Sequence, residues 1–233
     1  MRRPFVLTGV LSLLLAVSVG CTDRGADGDP AGGAGSSTPL PEAAGLLRSA
    51  ATELATVKTA RFAITTQGAA ESLGISGAEG VITATGEAQG SARIEQGGLP
   101  LELQFVVKDG TLHVNGLTGG WQKLPLSTAA TIYDPTALLS PDRGIANLVS
   151  KSSGATEARE TLDGVETYRI KGTLPGSALG SLVPGVSEDV TGTLWIGADR
   201  PLLHRALFPV PGQTGTVTVT FSEYDVPVTI RVP

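Results

Sequence analysis

"LELQFVVKDGTLHV", residues 101–114, decides how this chain folds. Leu101, Leu103, Phe105 and Val107 recur every second residue, with Glu102 and Gln104 between them. That period is the signature of an extended strand with one apolar and one wet face. Asp109-Gly110 follows, the dipeptide that best supports a tight hairpin turn between two such runs. The second run puts Leu112 and Val114 on the apolar side and leaves His113 on the wet side.

The same device recurs along the chain. "ETLDGVETYRIKG" (160–172) repeats it, with Asp163-Gly164 as the turn and Tyr168 and Ile170 on one face. "TGTLWIG" (191–197) offers Leu194 and Ile196, and "TGTVTVTF" (214–221) offers Val217, Val219 and Phe221. "DVPVTIRV" (225–232) reads as a last strand through Val226, Val228 and Ile230. "ARFAITTQ", "GVITATG" and "SARIEQ" are weaker strands, and "RPLLHRALF" carries another around His204. The total is roughly nine to eleven short strands in an antiparallel meander.

Helical spacing is clearest in residues 40–60, where Leu47, Ala50, Ala51, Leu54 and Val57 share a stripe and Pro41 and Glu42 suit its start. Residues 134–152 predict two short helices: one capped by Asp134 with Pro135 at its first position, one begun by Asp142 and burying Ile145, Leu148 and Val149. Residues 175–183 predict another. The fold class is α+β, a large curved antiparallel sheet with a few helices on its apolar face. Such a sheet either packs a solid core or encloses a cavity, and alternation alone leaves both open.

The chain of 233 residues is 41% hydrophobic but only 4% aromatic, with 31 glycines and a net charge of −5. It is too apolar and too weakly charged for a disordered chain. The acidic balance and the lack of a basic stripe argue against nucleic acid as a partner. One cysteine allows no internal disulfide.

Arg2 and Arg3 precede an uncharged run from Pro4 to Gly20, which fits a secretory signal peptide over 1–20 better than a membrane span or a buried helix. Val19-Gly20-Cys21 resembles a bacterial lipobox, although Ser18 stands where leucine is usual. Cys21 is therefore the expected lipidation site; the alternative is a free thiol in a core. Two or three acyl chains on one residue make a stable anchor where a single chain is marginal. Residues 21–39 are rich in Gly, Ser, Pro and Asp and read as a flexible tether. Its r.m.s. reach is roughly 25 Å. The folded domain is expected over 40–233.

Nothing in the sequence supports catalysis. His113 and His204 lie in no metal motif, no nucleophile elbow is present, and no cofactor is called for. Asp134, Asp142 and Asp163 fall at caps and turns, where carboxylates commonly serve structure. Trp121 and Trp195 read as core anchors in preference to rim residues.

Several pieces in order carry a resemblance: "TARFAITTQG", "LQFVVKDGTLHV", "IYDPTALLSPDRGIANLVS", "LDGVETYRIKGTLP", "TLWIGADRPLLHRALF" and "VTVTFSEYDVPVTI". Behind a lipobox and tether, they resemble the LppX/LprAFG lipoproteins of mycobacteria and actinobacteria, above all the LprG-type lipid carriers. The resemblance implies a LolA/LolB-like half-barrel with helices closing its concave side around an apolar cavity. It implies a lipid or glycolipid cargo of triacylated type, carriage across the cell envelope, and a membrane transporter as partner. The protein would sit at the outer face of the cell membrane, held through the acylated cysteine. The lining would come from Ile64, Ile82, Ile94, Leu101, Leu103, Phe105, Val107, Leu112, Val114, Ile145, Leu148, Val149, Tyr168, Ile170, Leu194, Ile196, Val217 and Val219. Residues 134–152, 68–80 and 209–215 are the hinge candidates. The rival reading is a structural or adhesive surface lipoprotein with a filled core.

Overall fold

A computed structural model describes residues 39–68, 75–96, 99–116, 119–129, 137–183, 186–212 and 214–233. The expected signal peptide, Cys21 and the expected tether as far as residue 38 lie outside these, as do Asp134 and Pro135. Pro39–Pro233 forms one compact unit. Among the described residues no helix is long and apolar enough to cross a membrane.

The element order is α1 (Ala43–Leu54), β1 (Thr59–Gly68), β2 (Ile75–Thr83), β3 (Ala88–Gln96), β4 (Leu99–Lys108), β5 (Thr111–Asn115), β6 (Gln122–Pro125), α2 (Leu126–Ala129), α3 (Ile145–Lys151), β7 (Ser153–Leu162), β8 (Val165–Leu174), α4 (Gly176–Leu179), β9 (Val190–Gly197), β10 (Leu203–Pro209) and β11 (Gly215–Ser222). All eleven strands form one open antiparallel sheet in the order β6-β5-β4-β3-β2-β1-β11-β10-β9-β8-β7. Two meanders are joined at a seam between β1 and β11, where Ile64 pairs with Val219 and Phe62 with Phe221. The sheet is not closed into a barrel, because β6 and β7 are both edges.

This order explains where the helices sit. After β6 the chain stands at one edge, and β7 begins at the other. The connection, which includes α2 and α3, must cross a face, and burial draws it onto the apolar one. α1 packs on α3, β7 and β9, and α3 packs on α4 and β8. Leu47, Ala50 and Leu54 of α1 and Ile145, Leu148 and Val149 of α3 are buried in the resulting core.

Both predicted Asp-Gly turns form. Asp109 and Gly110 have φ of 49° and 68°, and Asp163 and Gly164 have 50° and 85°, the two consecutive positive values that a tight hairpin requires. Between the hairpins, Gly80 pairs with Gly90. A Cβ on Gly90 would stand 2.0 Å from the Glu79 carbonyl oxygen, so neither strand can carry a side chain there without moving.

Several expectations are corrected. α3 starts at Ile145, with Gly144 as its extended N-cap, so Asp142 does not begin it. Residues 225–233 are not a strand: Glu223 and Asp225 take positive φ, and Pro227 has no amide hydrogen to donate. They run instead as a strap, tied by the Asp225 amide to the Thr59 carbonyl and by Lys108 Nζ to the Ile230 carbonyl at 3.1 Å. Val226 is exposed while Ile230 is buried. His113 lies on the outer face by alternation but is only 5% exposed, beside a buried Val106, and its Nδ1 has no partner among the described residues. Trp121 is exposed, not a core anchor. Trp195 stands on the outer face, where its Nε1 donates to Glu160 Oε1 at 2.6 Å under the Arg205 guanidinium, 5.7 Å from the ring centroid. Of the 68–80 hinge, residues 75–80 are strand paired on both sides, and 69–74 lie outside the described residues.

Candidate functional site

The inner face is built by register. Leu103, Ala92, Ala78, Ile64, Val219, Ala206, Leu194 and Ile170 pair in succession from β4 to β8, one uninterrupted apolar row. Phe105, Gly90, Gly80, Phe62 and Phe221 form the next row, and Leu112, Val107, Ala88, Ile82 and Ala60 a third. Because side chains alternate along every strand, adjacent rows on one face are two residues apart, and one wide apolar surface results.

The two halves of that surface differ. On β8 to β11, Ile170, Leu194, Ile196, Val217 and Val219 are buried, as are Val107, Val114 and Ile82 on the other half. Ile94, Leu101, Leu103, Phe105 and Leu112 are only half-buried, because α1, α3 and α4 are concentrated over the β7–β9 side. Tyr168 is half-buried too, with the Arg159 guanidinium 5.9 Å from its ring centroid.

Between the seam and the helices lies an apolar void of about 20 Å³, lined by Ile64, Val219, Phe221, Ala206, Phe208 and Leu203 from the sheet and by Leu138, Ile145, Leu148, Leu179, Leu182 and Val183 from above. That is room for about one water molecule, so in this conformation the concave face is nearly filled. A larger groove of about 340 Å³ between α1 and residues 141–150 is lined by Thr52, Asp142, Asn147 and Ser150 among others. Its polar rim suits solvent better than acyl chains. Of the expected lining set, the structure brings Ile64, Ile145, Leu148 and Val219 to the void and leaves the others elsewhere on the face or in the core. Sequence reading passed over Leu179, Leu182 and Val183, although they lie in a segment with a helical pattern. Phe208 was within reach of alternation with Ala206 along "LHRALF", whereas Leu203 reaches the same face only through a β-bulge between Leu203 and Arg205.

A clasp closes one end of the helical layer. Arg200, between β9 and β10, bonds Glu53 of α1 at 2.6 Å and Asp225 of the strap at 2.8 Å. The Lys58 amide donates to Asp225 at 2.8 Å, and together with Arg200 it holds that carboxyl below its ordinary value. Burial lowers His204, edge-on to Tyr224 at 6.1 Å between centroids, and raises the Tyr224 hydroxyl, which donates to the Leu203 carbonyl.

The LppX_LprAFG lipoprotein family model matches residues 42–230. The chain belongs to that family. The lipoarabinomannan carrier protein LprG of Mycolicibacterium smegmatis is 32% identical over 234 residues, covering 97% of this chain and 94% of that protein. The protein of the same name from Mycolicibacterium hassiacum is 37% identical over 204 residues, covering 84% and 86%. Crystal structures of two LppX_LprAFG proteins share the fold. LprF of Mycobacterium bovis superposes with a TM-score of 0.75 at 23% identity, covering 84% of this chain and 98% of that one. LppX of Mycobacterium tuberculosis does so at 0.61 and 24%, covering 81% and 98%. The open sheet with helices on one face is thus the fold of this LppX_LprAFG chain.

Proposed function

We propose that this protein is a membrane-anchored carrier that holds the acyl chains of a lipid or glycolipid, of triacylated type, against the apolar face of its sheet and moves them across the envelope. The observation that carries this reading is the uneven cover of that face. A stable core has no use for a half-buried strip of Ile94, Leu101, Leu103 and Phe105 continuous with a fully buried one. The relatives named as lipoarabinomannan carriers support a lipid-bearing ligand, and family membership favours carriage over catalysis.

Binding then needs no special chemistry. Each methylene removed from water contributes about 0.8 kcal/mol, so an apolar strip holds long chains without a polar contact. The void of about 20 Å³ admits none of them as it stands. Loading there therefore separates the helical layer from the β1–β11 seam, and Ile64, Ile145, Leu148 and Val219 meet acyl chains only then. Release follows the reverse movement, since the burial that binds also slows exit. Cys21 acylation would keep the carrier at the outer face of the cell membrane, within reach of a transporter.

The same small void favours a second reading, a structural surface lipoprotein with a filled core. Native mass spectrometry of the full chain purified from a lipid-rich actinobacterial host separates the two. Co-purified lipid lost on delipidation and regained on incubation is the carrier's result. A chain that emerges bare and takes up nothing is the structural protein's.

A further inference from the structure

α3 divides two unlike spaces. Ile145 and Leu148 line the apolar void, while Ala146, Asn147 and Ser150, on the opposite side of the helix, line the groove toward α1. The turn that leads into α3 walls both: Leu138 lines the void, and Pro141 and Asp142 line the groove. That turn is closed by the Gly144 amide, which donates to the Ser140 carbonyl at 2.7 Å, and by the Ile145 amide, which donates to the Leu138 carbonyl at 2.9 Å. A helix with its side chains is roughly 10 Å across, so one lipid molecule can reach both spaces around this turn.

The groove holds about 340 Å³, the bulk volume of roughly eleven waters, which is room for a sugar ring with its hydroxyls. Its polar atoms define what fits. Thr52 Oγ1 donates to the Arg48 carbonyl at 3.0 Å and Ser150 Oγ to the Asn147 carbonyl at 2.8 Å, so both hydroxyls have used their hydrogens and offer only lone pairs. Asp142, the one charged side chain among the described residues of the lining, is ionised at neutral pH and accepts only. The Asp142 carboxylate and the Asn147 carboxamide have no hydrogen-bond partner among the described residues, and the Asn147 NH2 is a donor that needs an acceptor. A ligand that matches is rich in donors, carries no negative charge and can also accept. Hydroxyl groups on adjacent carbons meet all three conditions. A phosphate brings acceptors and is repelled by Asp142, and an ammonium group donates but leaves Asn147 unanswered.

We infer that the α1–α3 groove binds the head group of the cargo and that this head group is a neutral sugar. This rests on the anchored-carrier reading and deepens it: the acyl chains enter beneath α3, and the sugar sits above it against Asp142 and Asn147. The groove, not the apolar strip, then selects among lipids with identical chains.

The test uses the full chain, delipidated and offered four detergent-dispersed lipids with the same two acyl chains: glucosyl diacylglycerol, bare diacylglycerol, phosphatidic acid and phosphatidylethanolamine. The glucosyl lipid should load about tenfold more tightly than diacylglycerol, the scale of one or two hydrogen bonds. Asn147→Ala and Asp142→Ala should each bring the two lipids closer to equal loading. Asp142 is exposed and Asn147 half-buried, so both variants should melt as wild type does. Equal loading of the two lipids by wild type, a ratio that neither substitution alters, or tighter loading of the phosphate or ammonium lipid would overturn the inference. A chain that loads none of the four sinks the carrier reading instead, and the groove is then decided by methyl glucoside alone. Added to the isotope-labelled chain, it should move the side-chain amide signal of Asn147 and leave that of Asn115 in place; an unmoved Asn147 signal counts against the sugar site.

Discussion

Arg200 Nε donates a 2.6 Å hydrogen bond to Glu53 Oε1, joining the β9–β10 turn to the last turn of α1. The same guanidinium bonds Asp225, so one side chain fastens helix, sheet and C-terminal strap at one end. The groups are substantially exposed, and exposed ion pairs contribute about 0.2–1 kcal/mol. Arg200→Ala should therefore lower the melting temperature by only a few degrees. If the clasp limits movement of α1, the variant also exchanges lipid faster than wild type. A stopped-flow exchange assay beside a thermal melt checks both effects.

The clasp corner should also make stability sensitive to acid. Asp225 is held below its ordinary 3.8 by the Lys58 amide and then by Arg200, and burial lowers His204 from its ordinary 6.5. Both folded values lie under the unfolded ones, so both contributions are complete above the unfolded values and are lost as pH falls through the folded ones. The melting temperature should be level above neutrality, decline below 6.5, and decline again below 3.8. Asp225→Asn should abolish the second decline and His204→Gln the first. Unaltered melting profiles in both variants would refute the assignment.

Core and site residues should separate by phenotype. Leu194 is buried in the row under the helices, and Leu194→Ala should cost about 2–5 kcal/mol of stability. Leu103 belongs to the same row but is half-buried, and Leu103→Ala should cost about 1 kcal/mol or less. Leu103→Trp should instead reduce lipid loading in a chain that still melts cooperatively. Unchanged loading would remove this strip from the site.

Gly90→Val should destabilise by about 1–3 kcal/mol through forced separation of β2 from β3. The nearest obstacle to a Cβ is backbone, the Glu79 carbonyl, which has little freedom to yield. Chemical denaturation measures the loss. A neutral result would mean that the paired glycines are not held closely together.

Anchoring is tested at Cys21. Cys21→Ala should move the protein from the membrane fraction to the soluble one without altering the melting temperature of residues 39–233. Persistence in the membrane fraction would contradict acylation at that cysteine.

Much of this molecule could be read from local pattern. Period-two alternation at Leu101–Val107 and Val217–Phe221, with Asp-Gly turns at 109 and 163, fixes strands, hairpins and inward faces, since each depends only on neighbouring residues. The stripe Leu47, Ala50, Leu54 marks α1 for the same reason. Other features depend on residues distant in sequence. Pairing of Ile64 with Val219 joins the two meanders, and no periodicity in either strand records it. The failure of residues 225–232 to become a strand reflects a competing tie to Thr59 and Lys108. His113 alternates as a wet residue and is nevertheless buried, because burial depends on what crosses a face and not on which face a side chain takes. The contrast between a filled β8–β11 half and a half-covered β3–β5 half has the same origin. The apolar rows run across both halves; which half is covered was decided by where α1, α3 and α4, from three separate parts of the chain, pack together.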